Sequence, residues 1–298
     1  MPDRPPTERP AAHDRRHRCR HYRPARPYLR QRRQRHLAEL LAVAAAAGLE
    51  VLAVTDHDTV DGVAAAQKAG ALLGIEVLPG CEITGEVDGR VVHLLAYGDG
   101  LLTPGALDQV TAARRGRAER NRAIGERLEA LTGVGYRQAA ALAGRSALSR
   151  AHFARALVQH GAVGDVAEAF DRYLSSGRPA YVPAPCLPVR EVVGLVHGSG
   201  GVVVLAHPGR LAPAEQERVV ASAIAAGVDG LEVWHPQHDA GARRHWLATV
   251  ERHGLLATGG SDYHGAHKPN VQLGGAGMPV PLSAAADLKA RLAATART

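Results

Sequence analysis

Cysteine is scarce in this 298-residue chain and long apolar runs are missing. Each shortage removes a class of protein. Cys19, Cys81 and Cys186 are odd in number and far apart, which argues against a disulfide framework and fits a reducing cytoplasm. No stretch reaches the roughly 20 apolar residues that a membrane helix needs, so no membrane partner is expected. The basic N-terminus lacks the apolar segment of a secretory signal. Acid is short only at the start, where residues 1–36 hold 12 arginines against three acids. The net charge of +7 therefore belongs to this leader, and the rest of the chain is slightly acidic. Lysine is nearly absent, with three residues against 33 arginines, which reads as a GC-rich coding sequence rather than a physical adaptation.

What is present is an ordinary globular composition, 46% hydrophobic and 22% charged. The length suits one large domain or two modest ones. From Leu37 helices and strands alternate. "HLAELLAVAAAAG" has a helical period ending at Gly48, and "LEVLAVTDHD" is a short buried strand. "TVDGVAAAQKAGALLG" is a second helix, with Thr59 placed to cap its start and Gly74 its end. "IEVLPGCEIT" and "RVVHLLAYG" follow as strands. This rhythm predicts an α/β fold, a mostly parallel sheet or barrel. Between residues 102 and 187 the strands stop and four helices are expected, an insertion. Alternation then resumes through "GVVVLAHPG", "VDGLEVWHP" and "LLATGGSDYHG". The expected division is a leader (1–36), a first sheet part (37–101), the insertion (102–187) and a second sheet part (188–298).

Several of these strands carry metal-ligand side chains at or near their ends: His57, Glu82, His93, His207, Asp262 and His264. In parallel α/β folds functional groups gather at the carboxyl ends of strands. Singly, each residue has an ordinary reading as a hydrogen-bonded or solvated group, and Asp56 and Asp58 beside His57 read equally well as helix caps. Together they point to a cation cluster. A mixed nitrogen and carboxylate set suits manganese, iron or zinc better than magnesium. Such ions polarise phosphoryl oxygens and acidify water, which is the chemistry of phosphoester hydrolysis. Asp56 or Asp58 would orient a ligand imidazole.

"LAVTDHDTVDG", "VLPGCEIT", "VVHLLAYG", "VVLAHPGR" and "GGSDYHG" resemble the motifs of the PHP (polymerase and histidinol phosphatase) superfamily. The likeness is greatest to the bacterial branch that dephosphorylates 3′,5′-nucleotide bisphosphates and trims RNA 5′ ends. It implies a distorted seven-stranded (βα) barrel holding two or three divalent ions, most readily Mn2+, with Fe2+ or Zn2+ as alternatives. The six residues above would be the metal ligands, with His57, His207 or His264 assisting proton transfer. The insertion would cover the site, and it makes Arg150, His152 and Arg178, with His235 after another strand, candidate substrate contacts. The implied partners are small phosphorylated nucleotides or short RNA.

The resemblance also calls for a first strand of the form "DLHxHTxxSDGxDT" before Leu37, and the leader holds none. Back-translated and read one base later, the codons of residues 21–36 admit D-L-H-A-H-T followed by A-S-D-G and D-T. The leader therefore reads as a frameshifted first strand, and residues 1–36 are expected to be disordered. Three other readings compete: a histidinol-phosphate-type phosphatase, a catalytically impaired member of the superfamily, and a non-catalytic nucleic-acid binder using the arginine arm. The last has Tyr22 and Tyr28 for stacking but no recognition fold around them.

Overall fold

The computed structural model describes residues 37–143, 148–183, 186–263, 273 and 280–296, the side chains of 107–115 aside. The leader, and with it the frameshift reading, lies outside the described residues. Helix α1 (residues 37–46) buries Leu37, Leu41 and Ala44, a helical spacing that presents one face to Val54, Ala66 and Val77. Strand β1 (Val51–Val54), helix α2 (Val63–Leu73) and strand β2 (Glu76–Val87) form a parallel βαβ unit. Gly74 ends α2 in the left-handed conformation, as expected. The start of α2 is a correction: its N-cap is Gly62, while Thr59 Oγ1 accepts the Asp61 N–H at 3.2 Å. The cause lies just upstream, where Asp58 N–H donates to the Glu82 carbonyl at 2.9 Å and keeps the chain beside β2 before it can coil.

Strand β2 serves two partners. Its first residues pair with β1, and Gly80 to Val87 pair with β3 (Arg90–Tyr97) in an antiparallel hairpin. The two-residue turn is Asp88–Gly89, both with positive φ (51° and 70°), the geometry that matches the twist of adjoining strands. Strand β3 is therefore antiparallel to β2, and also to β5 (Val202–Leu205), while the other pairings are parallel, so the sheet is mostly parallel as expected with β3 the exception. Strands β6 (Gly230–Trp234) and β7 (Leu256–Gly259) continue in parallel, and β4 (Leu187–Pro188) pairs with β2 off this path. The seven strands run β1-β2-β3-β5-β6-β7 with β4 to the side, and among the described residues no ladder joins β1 to β7. The fold is thus a mixed α/β sheet covered by helices.

Between β3 and β4 come α3 (Pro104–Thr132), α4 (Tyr136–Ala143), α5 (Arg150–Gln159) and α6 (Val166–Ala169), the last continuing into a π-turn at Phe170–Leu174. These helices close over their own core of Ile124, Leu128, Phe153, Leu157 and Leu174. The main core lies between the sheet and α7 (Val189–Gly198), α8 (Pro213–Ala225) and α9 (Ala240–His253), with Trp246, Leu205 and Leu231 at its centre. Helix α10 (Leu282–Thr295) lays Leu288 against Val202, Val204 and Leu256. None of the described helices is long and apolar enough to cross a membrane.

Candidate metal centre

The turn after β1 brings His57 beside Glu82 in an isolated parallel bridge, and β3 sets His93 on the neighbouring strand. One ligand atom each from His57, Glu82 and His93 lie within 4.8 Å of one another. The Glu82 carboxylate is the hub: His57 Nε2 lies 3.2 Å from Oε2, while His93 Nδ1 and His207 Nε2 lie 2.6 and 3.5 Å from Oε1. The imidazoles meet edge to face, with ring centroids 4.7 Å apart for His57 and His93 and 5.2 Å for His93 and His207. Neither Glu82 nor His93 ends its strand, because the hairpin carries β2 and β3 beyond the site.

Beyond His207, His235 follows at 5.5 Å between ring centroids, and its Nε2 lies 3.9 Å from Asp262 Oδ2. Arg210 Nη1 is 3.4 Å from the same oxygen. Asp58, His207 and Asp262 follow β1, β5 and β7, and all three hold positive φ. Such conformations cost energy in non-glycine residues and collect at functional sites. His264 lies outside the described residues.

Burial sets the charges. It pushes His57 down to about 4, the nearby Glu82 charge opposing, and it lowers His207 in the same way. Both imidazoles are therefore neutral near pH 7 and have lone pairs to offer. Burial would raise Glu82, but hydrogen bonds from His207 and His93, with the charge of His57, hold it well below the usual carboxylate range. Glu232, behind the cluster, has no such set of partners, and burial pushes it up to about 8. His57 Nδ1 and His235 Nε2 are buried without a hydrogen-bond partner among the described residues. A buried ring nitrogen left in that state is costly unless something else satisfies it. A low-pKa carboxylate beside the two neutral imidazoles of His57 and His207, with an orphaned ring nitrogen, fits a divalent cation of the manganese, iron or zinc type.

Other predicted residues have different surroundings. Asp58, 2% exposed, accepts the Arg117 Nε–H through Oδ2 at 2.6 Å rather than orienting an imidazole, and Arg117 also donates to Thr84 Oγ1. Asp56 is exposed, and its carbonyl accepts the Glu82 N–H at 3.1 Å. His152 closes the capping box of α5 through Ser149, at 2.9 Å. Arg178 pairs with Asp171 on the surface. The Arg150 guanidinium sits between the Phe170 and Tyr181 rings, at 5.9 and 5.7 Å. Arg120 is brought down to about 10, by burial first and then by the charges of Arg150 and Arg117, so three cations crowd one place.

Sequence reasoning missed Arg117, Glu232 and His238. Arg117 is one arginine among many on α3 and carries no mark of its own. Glu232 does carry one, as a lone acid inside the apolar strand "GLEVW". A cavity of about 440 Å³ lined by Glu86, Asp88, Cys186, Arg190 and Ser222 lies by the hairpin turn and shares no residue with the cluster.

No family model matches the chain. Known relatives do. A 3′,5′-nucleoside bisphosphate phosphatase from Chromobacterium violaceum is 36% identical over 230 residues, 76% of this chain and 81% of that protein. The 5′-3′ exoribonuclease Rnm of Salmonella typhimurium is 34% identical over 218 residues, 72% of this chain and 74% of that one. A solved structure described as a metal-dependent phosphoesterase from Bifidobacterium adolescentis aligns with a TM-score of 0.71 at 32% identity, covering 86% of this chain and 90% of its own. An amidohydrolase structure from Chromobacterium violaceum aligns at 0.73 and 34%, covering 86% and 91%. With this much sequence and fold shared with such enzymes, the chain belongs to the PHP family of metal-dependent phosphoesterases, which are hydrolases of phosphate esters.

Proposed function

We propose that the chain removes phosphate from nucleotides, 3′,5′-bisphosphates above all, and from RNA 5′ ends, with divalent ions, Mn2+ in the first place, held by His57, Glu82, His93, His207 and Asp262. The observation that carries this is the meeting of His57, His93 and His207 on the one carboxylate of Glu82. Ions bound there would polarise a phosphoryl oxygen and acidify water. The chain's own groups supply the rest. His207, kept neutral by burial, is placed to offer Nε2 to an ion beside Glu82. Arg117, Arg120 and Arg150 form a cationic patch that draws in a polyanion, and a guanidinium fork fits phosphate. Arg150 also lies against the ring of Tyr181, a surface of the kind on which a base stacks. The two relatives above, which act on nucleoside bisphosphates and on RNA by name, support this substrate class.

Phosphate release from 3′,5′-bisphosphoadenosine, 5′-phosphorylated RNA and histidinol phosphate, with Mn2+ present, tests the reading. The nucleotide substrates are expected to be preferred, with activity lost in Glu82→Gln. Preference for histidinol phosphate would move the assignment to that phosphomonoester, and no release from any of the three would overturn the activity.

A further inference from the structure

We propose that Glu232 and His238 are positioning residues, which hold the backbone on both sides of His207 so that its imidazole enters the cluster in one direction. His207 leaves β5 with φ 30° and ψ 58°, a left-handed conformation that a β-carbon disfavours. Such a residue persists only where its surroundings impose the geometry. Two buried side chains from β6 and the turn after it do so. Glu232, 4% exposed, accepts the His207 N–H through Oε2 at 2.7 Å. His238, 1% exposed, accepts the Gly209 N–H through Nε2 at 2.9 Å. The His238 ring is itself fixed, since Nδ1 lies 2.9 Å from the Val233 carbonyl and so carries the proton.

The fit around both groups is close. A β-carbon at Gly209 would stand 2.5 Å from the His238 ring, and one at Gly260 would fall on the Glu232 carboxylate. Glu232 therefore touches the turns after β5 and after β7, which carry His207 and Asp262. Packing alone does not call for these residue types. A buried carboxyl in a strand is expensive, and an apolar side chain of equal volume would fill the space at lower cost. What an apolar residue lacks is the acceptor for a backbone N–H.

The inference rests on the phosphoesterase reading of the same site, so its test separates the two. Co2+ titration followed by visible absorption, and kcat/KM on 3′,5′-bisphosphoadenosine, are measured for the full chain, Glu232→Met, Glu232→Gln and His238→Met. Glu232→Met keeps the volume and removes the acceptor, and His238→Met does the same at the second contact. Each is expected to lose about tenfold or more in Co2+ affinity and in kcat/KM, with an altered Co2+ spectrum, whereas Glu232→Gln stays within about threefold of the natural chain. Thermal melting monitors folding. Wild-type Co2+ affinity and spectrum in both methionine variants overturns the inference, and if Glu232→Met does not fold, His238→Met alone decides it. A natural chain that binds Co2+ but releases no phosphate counts against the phosphoesterase reading, while the Co2+ measurements still decide the roles of Glu232 and His238.

Discussion

Glu82 is the side chain on which the site turns, because the contacts of His57, His93 and His207 all meet on its two oxygens. Glu82→Gln keeps the shape and removes the charge, so Mn2+ affinity measured by calorimetry is expected to fall by at least about tenfold. Unchanged affinity would remove Glu82 from the ligand set. His238 gives a pH prediction. Its pKa is lowered, by burial first, and its Nε2 must stay an acceptor for Gly209. The unfolded chain takes up a proton as pH falls through about 6.5 while the folded ring resists, so stability is retained above that range and lost below it. Urea midpoints between pH 7.5 and 5.5 are expected to fall less steeply in His238→Gln than in the natural chain, and parallel slopes would refute the assignment. At this scale the sequence shows residue types and spacing but not neighbours. The histidines of the cluster were legible because metal-ligand side chains near several strand ends are rare together. His152 was not, because a capping histidine and a substrate-binding one look alike until Ser149 is seen beside it.

Among the elements, α3 is tied to the sheet through Arg117, which reaches Asp58 and Thr84 next to the cluster. Asp58 is nearly fully buried and Arg117 partly so. Arg117→Met would strand the carboxylate, at an expected cost of about 2–3 kcal/mol in urea unfolding, with part recovered in Arg117→Met/Asp58→Asn. A single variant as stable as the natural chain would show that the pair does not join the helix to the rim. The β2–β3 turn makes a similar demand. Gly89→Ala is expected to lose about 1 kcal/mol through its positive φ alone, a loss that thermal melting can measure. Helices and strands from Leu37 onward were readable from their periods and from Gly74. The antiparallel course of β3 was not, because Asp88–Gly89 was not read as a hairpin turn and the surrounding βαβ rhythm suggested parallel neighbours.

For the molecule as a whole, a cation that binds the folded form alone must raise its stability. Mn2+ at 100 times its dissociation constant adds about 2.7 kcal/mol, a rise of about 4 °C in Tm that EDTA should reverse. No shift would mean that the cluster holds no ion in solution. The leader is settled separately: codons for residues 21–36 that do not spell the D-L-H-A-H-T pattern one base on would end the frameshift reading. The mixed α/β architecture was legible as alternation, whereas pairing order depends on contacts between distant segments that no local pattern records. The helices between β3 and β4, with a hydrophobic centre of their own, have a consequence for descent. They form a cassette packed on its own core, so under the proposed function its arginines and aromatic rings could be exchanged while the metal-holding groups on the sheet stay where they are. On the proposed function, choice of substrate and power to cleave it thus lie on separate parts of one chain.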